Sequence, residues 1–534
     1  MLRFVDLIHS AANEGAAWGF PWHERPRQEM GKPSEWVHDV WVDSSRRGAL
    51  SGHDGESTRS GGEFIDLPKV CHLPEGIPLG APPEATSPHS PRSDSLIGPV
   101  TMPCFMALSV SNTDPTFPLR SSDPALGPII DRVLSGQRLT IEEGCHLYET
   151  KDVWTVCALA DVVRRRMHGN IAWYNVNRHL NYTNVCALSC SFCAFARKRG
   201  DEGAYEQTIE DVRREATLAK ESGATEMHVV GGLHPWHPFS FYVEMLEAIR
   251  EEAPTLHIKA FTAVEIVHLA RISKRGRDGA EGIRAVLMDL RAAGLGSLPG
   301  GGAEVFDDRV HDEAFKGKIR ADAWMDVHRI AHELGIHTNA TMLYGHIEGR
   351  EERIRHMAIL REQQDAALTA WASSQGISCT DGVVLTGPDD MYQGDRLPRV
   401  DSCEQGYYQT CIPLPFIPDD SALEHLYGPS GLENLRTVAI ARLMLDNIPH
   451  MKAFWIMQTL PLSQLMLQMG GADDIDGTVV WYDITKVEGC GTHQETTVKD
   501  LHRVIREAGL EPMERDTLYR PVTREGADWT LATV

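Results

Sequence analysis

Apolar and polar residues alternate in two rhythms along this chain, and each predicts its own kind of element. In "DPALGPIIDRVLSGQRLTIEEGCHLYE" and "KDVWTVCALADVVRRRMHG" the apolar positions recur every three or four residues, which predicts amphipathic helices from about residue 122. After Ile171, short apolar runs of strand length alternate with longer periodic stretches such as "TIEDVRREATLAKESG", "GIRAVLMDLRAAG" and "ADAWMDVHRIAHELG". Strands are predicted over 173–180, 226–231, 257–263, 295–299, 337–344, 411–416, 452–457 and 477–482. Strand–helix units in series imply a parallel sheet, and about eight of them favour an α/β fold of the (β/α)8 TIM-type barrel over an open doubly wound sheet. The stretch 369–410 is too long for a plain loop and is predicted to be an insertion. Residues 171–485 are thus the expected barrel, 122–170 a helical lead-in, and 486–534 a helix, "TTVKDLHRVIREAGL", with a tail.

Residues 1–121 show neither rhythm. Of the 30 prolines in the chain, 14 fall within the first 120 residues, among Ser/Gly-rich stretches such as "SGHDGESTRSGG", so a disordered N-terminal extension is expected there. A hydrophobic fraction of 42% and a charged fraction of 24% are ordinary for a globular protein. The net charge of -23 argues against non-specific binding to nucleic acid or to an anionic membrane. Apolar runs such as "CFMALSV" fall far short of the roughly 20 residues of a membrane span, and the start lacks a basic segment followed by an apolar one, so a cytoplasmic protein is expected. The 11 cysteines are irregularly spaced and are expected to be reduced.

Three of those cysteines carry the chemistry. Cys186, Cys190 and Cys193 form C-x3-C-x2-C within "NYTNVCALSCSFCAFARKR", on the loop after the first barrel strand. A closed zinc site or an electron-transfer cubane normally takes four protein ligands, whereas three thiolates leave one iron of a [4Fe-4S] cluster open to a substrate or cosubstrate. Cys190 and Cys193 alone also fit a redox dithiol or half of a zinc site. Cys379, Cys403 and Cys411 are too loosely spaced for a second cluster and read as free thiols. Gly231 and Gly232 end the second strand where a backbone could approach a ligand, and Gly300, Gly301 and Gly302 with Glu304 suggest a ligand-facing loop. Glu265 could hold ribose hydroxyls or be a helix N-terminal acid. His346, in the segment Tyr344, Gly345, His346, Glu348, is a candidate polar contact to substrate. His234 and His237 read as a solvated loop pair in preference to metal ligands, and His328 and His332, which fail H-E-x-x-H, as helix-surface residues.

On that cysteine loop and the strand pattern around it, residues 170–520 resemble the radical SAM superfamily. The resemblance implies that Cys186, Cys190 and Cys193 hold a [4Fe-4S] cluster and that its open iron chelates S-adenosyl-L-methionine, whose one-electron reduction releases a 5'-deoxyadenosyl radical. It further implies that the Phe192 backbone lies near adenine and that Gly231 and Gly232 receive the methionine amino group. The set "DEGAYEQTIEDV", "GATEMHVVGGLHP", "LHIKAFTAVEI", "GLGSLPGGGAEVF", "NATMLYGHIE", "LRTVAIARLMLDNIPHMKAFWIM" and "GADDIDGTVV" resembles the aminodeoxyfutalosine synthase family of the futalosine route to menaquinone. That family's reaction adds the radical to 3-[(1-carboxyvinyl)oxy]benzoate, followed by rearrangement and decarboxylation, with an electron donor such as flavodoxin or ferredoxin. The N-terminal extension and the 369–410 insertion are foreign to the family pattern. Cyclic dehypoxanthinylfutalosine synthase and the deazaflavin-synthesising relatives are the alternative, against which "SLPGGGAE" and "DDIDGTVV" weigh. A non-catalytic iron-sulfur or zinc-binding protein would not need glycine loops at several strand ends. Arg178, Lys259, Arg271 and Lys452 are candidates for the substrate carboxylates, or equally exterior charges.

Overall fold

The computed structural model describes residues 119–374, 405–479 and 495–532, so the N-terminal extension up to residue 118 and the middle of the expected insertion lie outside the described residues. Three helices lead in: α1 (Leu126–Leu134), α2 (Ile141–Glu149) and α3 (Val153–His168). Side chains set their starts. Thr140 and Glu143 form a capping box at α2, and the Asp152 carboxylate accepts the Thr155 N–H at 3.1 Å to open α3.

Strands and helices then alternate. The run is β1 (Ile171–Tyr174), β2 (Asn177–Leu180), α4 (Ile209–Glu221), β3 (Glu226–Val229), α5 (Phe239–Glu252), β4 (His257–Ala260), α6 (Ala263–Ile272), α7 (Gly279–Ala293) and β5 (Leu295–Leu298). It continues as α8 (Asp308–Ala314), α9 (Ala321–Glu333), β6 (His337–Tyr344), α10 (Arg350–Ser374), β7 (Tyr408–Pro415), α11 (Gly431–Met444), β8 (His450–Ala453), α12 (Trp455–Gln458), α13 (Leu460–Met469) and β9 (Asp474–Ile475). α14 (Val498–Glu507), β10 (Glu511–Glu514) and an antiparallel hairpin of β11 (Val522–Glu525) and β12 (Asp528–Leu531) complete it. The large sheet is parallel throughout, in the order β10-β1-β9-β8-β7-β6-β5-β4-β3-β2.

β1 and β2 are halves of one kinked segment. β1 pairs with β9 and β10, while β2 pairs with β3 at the far end of the order. Between them the Asn175 carbonyl accepts the Thr478 N–H at 3.3 Å and the Val176 carbonyl accepts the Thr225 N–H at 2.8 Å. The expected barrel is therefore a curled parallel sheet of the partial-barrel kind, whose two ends meet at this segment.

Several boundaries depart from the sequence expectation. The strand expected over 257–263 stops at Ala260, because the Thr262 hydroxyl caps α6. The run 452–457 holds the end of β8 and then α12: Phe454, Trp455 and Ile456 are buried, and a short apolar run does not distinguish a buried helix from a strand. The last barrel strand is Asp474–Ile475, not 477–482, of which 480–482 lie outside the described residues. Residues 369–374 belong to α10 and 408–410 to β7, which trims the expected insertion at both ends. The C-terminal tail supplies β10 to the sheet. His328 and His332 are not on the surface: they share the inner face of α9 with Trp324, and the His328 ring lies 3.8 Å from the Trp324 ring centroid to centroid. Burial pushes His328 down to about 3, so it stays neutral, and His332 Nε2 meets Thr338 Oγ1 at 2.8 Å.

Candidate functional site

At the carboxyl end of β2 the chain folds back on itself over residues 181–206, and backbone bonds fix this loop before any ligand is considered. The Cys186 N–H donates to the Arg197 carbonyl at 3.0 Å, the Arg197 N–H to Asn184 at 2.9 Å, and the Ala187 N–H to Leu233 at 2.9 Å. Lys198 Nζ ties the Cys186 and Leu188 carbonyls at 2.9 and 2.8 Å. The sulfurs are oriented as well: Cys186 Sγ accepts the N–H groups of Leu188 and Leu233, each at 3.4 Å. Burial pushes the Cys190 thiol up to about 11, with the neighbouring Cys193 and Cys186 adding to the rise against the pull of Lys318. Half-buried thiols that repel one another's charge suit a cationic inorganic centre, which removes their protons on binding.

The three cysteines line one cavity of about 300 Å³. No other cysteine lines it among the described residues, which fits an iron–sulfur cluster with an open position. Two other groupings of potential ligand atoms, and not the three sulfurs, gather within 4.8 Å.

Glycines form the wall beside the loop because nothing larger fits. A Cβ on Gly232 would lie 2.4 Å from the Val185 carbonyl oxygen, and one on Gly300 would lie 2.6 Å from the Asn339 carbonyl oxygen. Gly302 sits at φ +94°. Glu304, at φ 49°, turns its carboxylate onto Lys318, whose ammonium also lies 5.1 Å from the centre of the Phe192 ring. Burial works against charge on Lys318, but Glu304 and the Cys190 sulfur hold it protonated above its ordinary range. Gly231, Gly232, Phe192, Glu265, Gly300, Gly301, Gly302 and Glu304 all line the cavity.

Glu265 is committed to the protein. Oε1 accepts the Tyr182 hydroxyl at 2.8 Å and the Gly231 N–H at 3.1 Å, and Oε2 accepts the Thr262 N–H at 2.7 Å and hydroxyl at 2.8 Å. His346 stands outside the lining, with Nε2 on the Leu343 carbonyl at 3.1 Å. None of the four proposed carboxylate partners lines the cavity: Arg178 pairs with Glu215 at 2.7 Å, Lys259 with Glu226 at 2.6 Å, Lys452 with Asp476 at 2.9 Å, and Arg271 is exposed. Cys411 is buried in β7 and Cys379 and Cys403 lie outside the described residues.

His234 and His237 are not a solvated pair. His234 is 2% exposed and its ring stacks on His237 with centroids 3.7 Å apart. Its Nδ1 accepts the N–H groups of Trp236 and His237, so the ring proton sits on Nε2 and faces Glu206 at 3.3 Å, where a metal would need a lone pair. Residues that the sequence reading did not single out are Lys318, His228 and Asn339. The alternation of inward positions along β3 and β6 held a signal for the last two; Lys318 follows α8 on a loop with no periodic cue.

Sequence comparison agrees with this geometry. The radical SAM superfamily profile matches residues 180–360, and the CofH/MqnC C-terminal region profile matches residues 405–526. Aminodeoxyfutalosine synthase of Thermus thermophilus is 39% identical over 404 residues, which is 75% of this chain and 96% of that protein. The 5-amino-6-(D-ribitylamino)uracil--L-tyrosine 4-hydroxyphenyl transferase of Methanosphaerula palustris is 33% identical over 407 residues, covering 75% of this chain and 99% of that protein. Methylornithine synthase shares the fold, with a TM-score of 0.52 at 17% identity over 72% of this chain and 97% of that one. A three-cysteine loop at the mouth of a curled parallel sheet and two full-length relatives lead to one conclusion: this chain belongs to the radical SAM superfamily, as kin of its CofH/MqnC and aminodeoxyfutalosine synthase type enzymes.

Proposed function

We propose that the chain is a radical SAM transferase of the futalosine route to menaquinone, with aminodeoxyfutalosine synthase as its reaction: 3-[(1-carboxyvinyl)oxy]benzoate and S-adenosyl-L-methionine to aminodeoxyfutalosine. The observation that carries it is the continuity of a three-thiol loop, glycine walls and an apolar compartment in one cavity. Cys186, Cys190 and Cys193 would hold the [4Fe-4S] cluster, and Gly231, Gly232 and the 300–302 loop admit a ligand backbone-close beside it. When bound, the cluster and its sulfonium cosubstrate supply one-electron chemistry. The protein's part is positional. Lys318 places a fixed cation next to the cysteine loop, and Ile412, Leu414, Phe454 and Met457 wall the deeper compartment against water.

A second reading is cyclic dehypoxanthinylfutalosine synthase or another radical SAM enzyme of the same group. The C-terminal match is to a region described for that branch, and relatives with a different named reaction align over nearly their whole length. These matches support the wider group more firmly than any single reaction within it. The chamber adds to this, because its one lining ammonium, Lys318, is already paired with Glu304 among the described residues, while the first reading has two substrate carboxylates to meet. Adenine-labelled S-adenosyl-L-methionine separates the readings. With 3-[(1-carboxyvinyl)oxy]benzoate and reduced enzyme, the label is expected in one new product with release of carbon dioxide or bicarbonate. Label recovered only as free 5'-deoxyadenosine would displace the first reading in favour of the second.

A further inference from the structure

The inner end of the chamber holds two polar side chains that form no side-chain hydrogen bond among the described residues. Along β6 the inward positions are Asn339, Thr341 and Leu343, and on the β3 side they are His228 and, just past the strand's end, Val230. The Thr341 hydroxyl is spent on the Gly300 carbonyl at 2.6 Å. Asn339 is 6% exposed, yet among the described residues its carboxamide forms no hydrogen bond. The His228 ring contacts the His179 ring at 4.7 Å and likewise makes no side-chain hydrogen bond among them. Both side chains open onto the cavity, where only water or a ligand is left to satisfy them.

Next to these groups the charges cancel. In the row of β3 and β4, His228 is level with Lys259, and Lys259 is held by Glu226 at 2.6 Å. Burial, reinforced by the Lys259 charge, holds His228 well below the ordinary histidine range, so it offers one N–H and one lone pair. The adjoining lining is apolar: Ile412 and Leu414 on β7, level with Thr341 and Leu343 of β6, together with Phe454. Neutral donors beside an apolar wall suit a flat molecule with an oxygen at one end.

We propose that His228 and Asn339 form a deep polar subsite that holds an oxygen-bearing substituent of an aromatic substrate, with its ring against Ile412, Leu414 and Phe454. This deepens the reading of the chain as an enzyme acting on an aromatic acid and rests on it. The subsite selects by hydrogen bonds, so it discriminates ring substituents by position and not by net charge.

The test measures equilibrium binding of 3-[(1-carboxyvinyl)oxy]benzoate to anaerobic, cluster-loaded protein by tryptophan fluorescence, with S-adenosyl-L-methionine binding as the control. His228→Leu and Asn339→Leu are each expected to raise the Kd for the aromatic acid about tenfold, the loss of one hydrogen bond, and to leave the Kd for S-adenosyl-L-methionine within about twofold. His228→Gln and Asn339→Ser, which keep a donor, are expected to lie between wild type and the leucine variants. They carry the comparison if a leucine variant fails to fold. Unchanged affinity for the acid in the variants at both positions overturns the subsite while leaving the assigned reaction intact. Wild-type protein that does not bind the acid overturns the assigned reaction itself, and the subsite with it.

Discussion

Glu265 ties three pieces of backbone together through one carboxylate: the Gly231 segment, the start of α6 and, through the Tyr182 hydroxyl, the loop that carries the cysteines. Burial raises its pKa to about 7, above the model-peptide value of 4.5, against the pull of its four hydrogen-bond donors. A raised carboxylate stabilises the fold when protonated, so its contribution is full below about pH 4.5 and is lost as the pH rises through about 7, on the order of 3 kcal/mol. Wild-type protein is expected to melt at a lower temperature at pH 8 than at pH 5.5, and Glu265→Gln to shrink that difference; an equal difference in both would remove Glu265 as the cause. Each of Cys186→Ala, Cys190→Ala and Cys193→Ala is expected to abolish the broad absorbance near ~400 nm of a reconstituted cluster, while Cys411→Ala keeps it. The contrast between these residues explains what the sequence could disclose. Three cysteines on one short loop announce themselves by spacing alone. His228 and Asn339 lie on strands far apart in the chain and become a pair only through the pleat and the curl of the sheet. Lys318 owes its place to an ion pair with Glu304, 14 residues away, which no local pattern encodes.

At the scale of elements, the alternation of strands and helices was legible because burial on both faces of a parallel strand leaves a continuous apolar run. The strand 337–344 shows the burial without the full run: it is buried at every position, yet only Ala340, Met342, Leu343 and Tyr344 are apolar or aromatic. β10 was not legible: "EPME" has neither β-branched residues nor a continuous apolar run, and it becomes a strand because β1 offers it a parallel edge, Ile171 opposite Glu511. Helix starts were better marked. At α4 the Thr208 hydroxyl accepts the Asp211 N–H at 3.2 Å and the Asp211 carboxylate accepts the Thr208 N–H at 2.9 Å. Thr208→Ala is expected to cost about 1 kcal/mol, read as a shift in urea midpoint, with cluster absorbance unchanged. Gly300→Ala acts differently, since its methyl meets main-chain atoms that have little room to yield. It is expected to cost roughly 1–3 kcal/mol and to weaken S-adenosyl-L-methionine binding measured by calorimetry.

In the molecule as a whole, the C-terminal segment is part of the barrel's support. Arg515 Nη2 and the Tyr519 hydroxyl each donate to Asp474 Oδ2 at 2.6 Å, and the Tyr519 ring stacks on His450 with centroids 3.5 Å apart. Truncation after Leu510 would leave the Asp474 charge buried with Lys452 at 3.8 Å, so a loss of about 3–5 kcal/mol is expected in chemical unfolding. Deleting residues 1 to 105, by contrast, is expected to leave the melting temperature unchanged, because that composition cannot bury enough apolar surface to offset its ordering entropy. The kinked segment from Ile171 to Leu180 joins these observations. Its first half is clamped by β9 and β10, and its second half runs straight into the cysteine loop. On the ribosome, the cysteines therefore emerge long before the residues that fasten the strand beneath them. A nascent chain that has not yet reached Asp474 presents three thiols downstream of a half-strand, β1, that lacks both of its partners, while only the β2 half has its neighbour β3 to pair with.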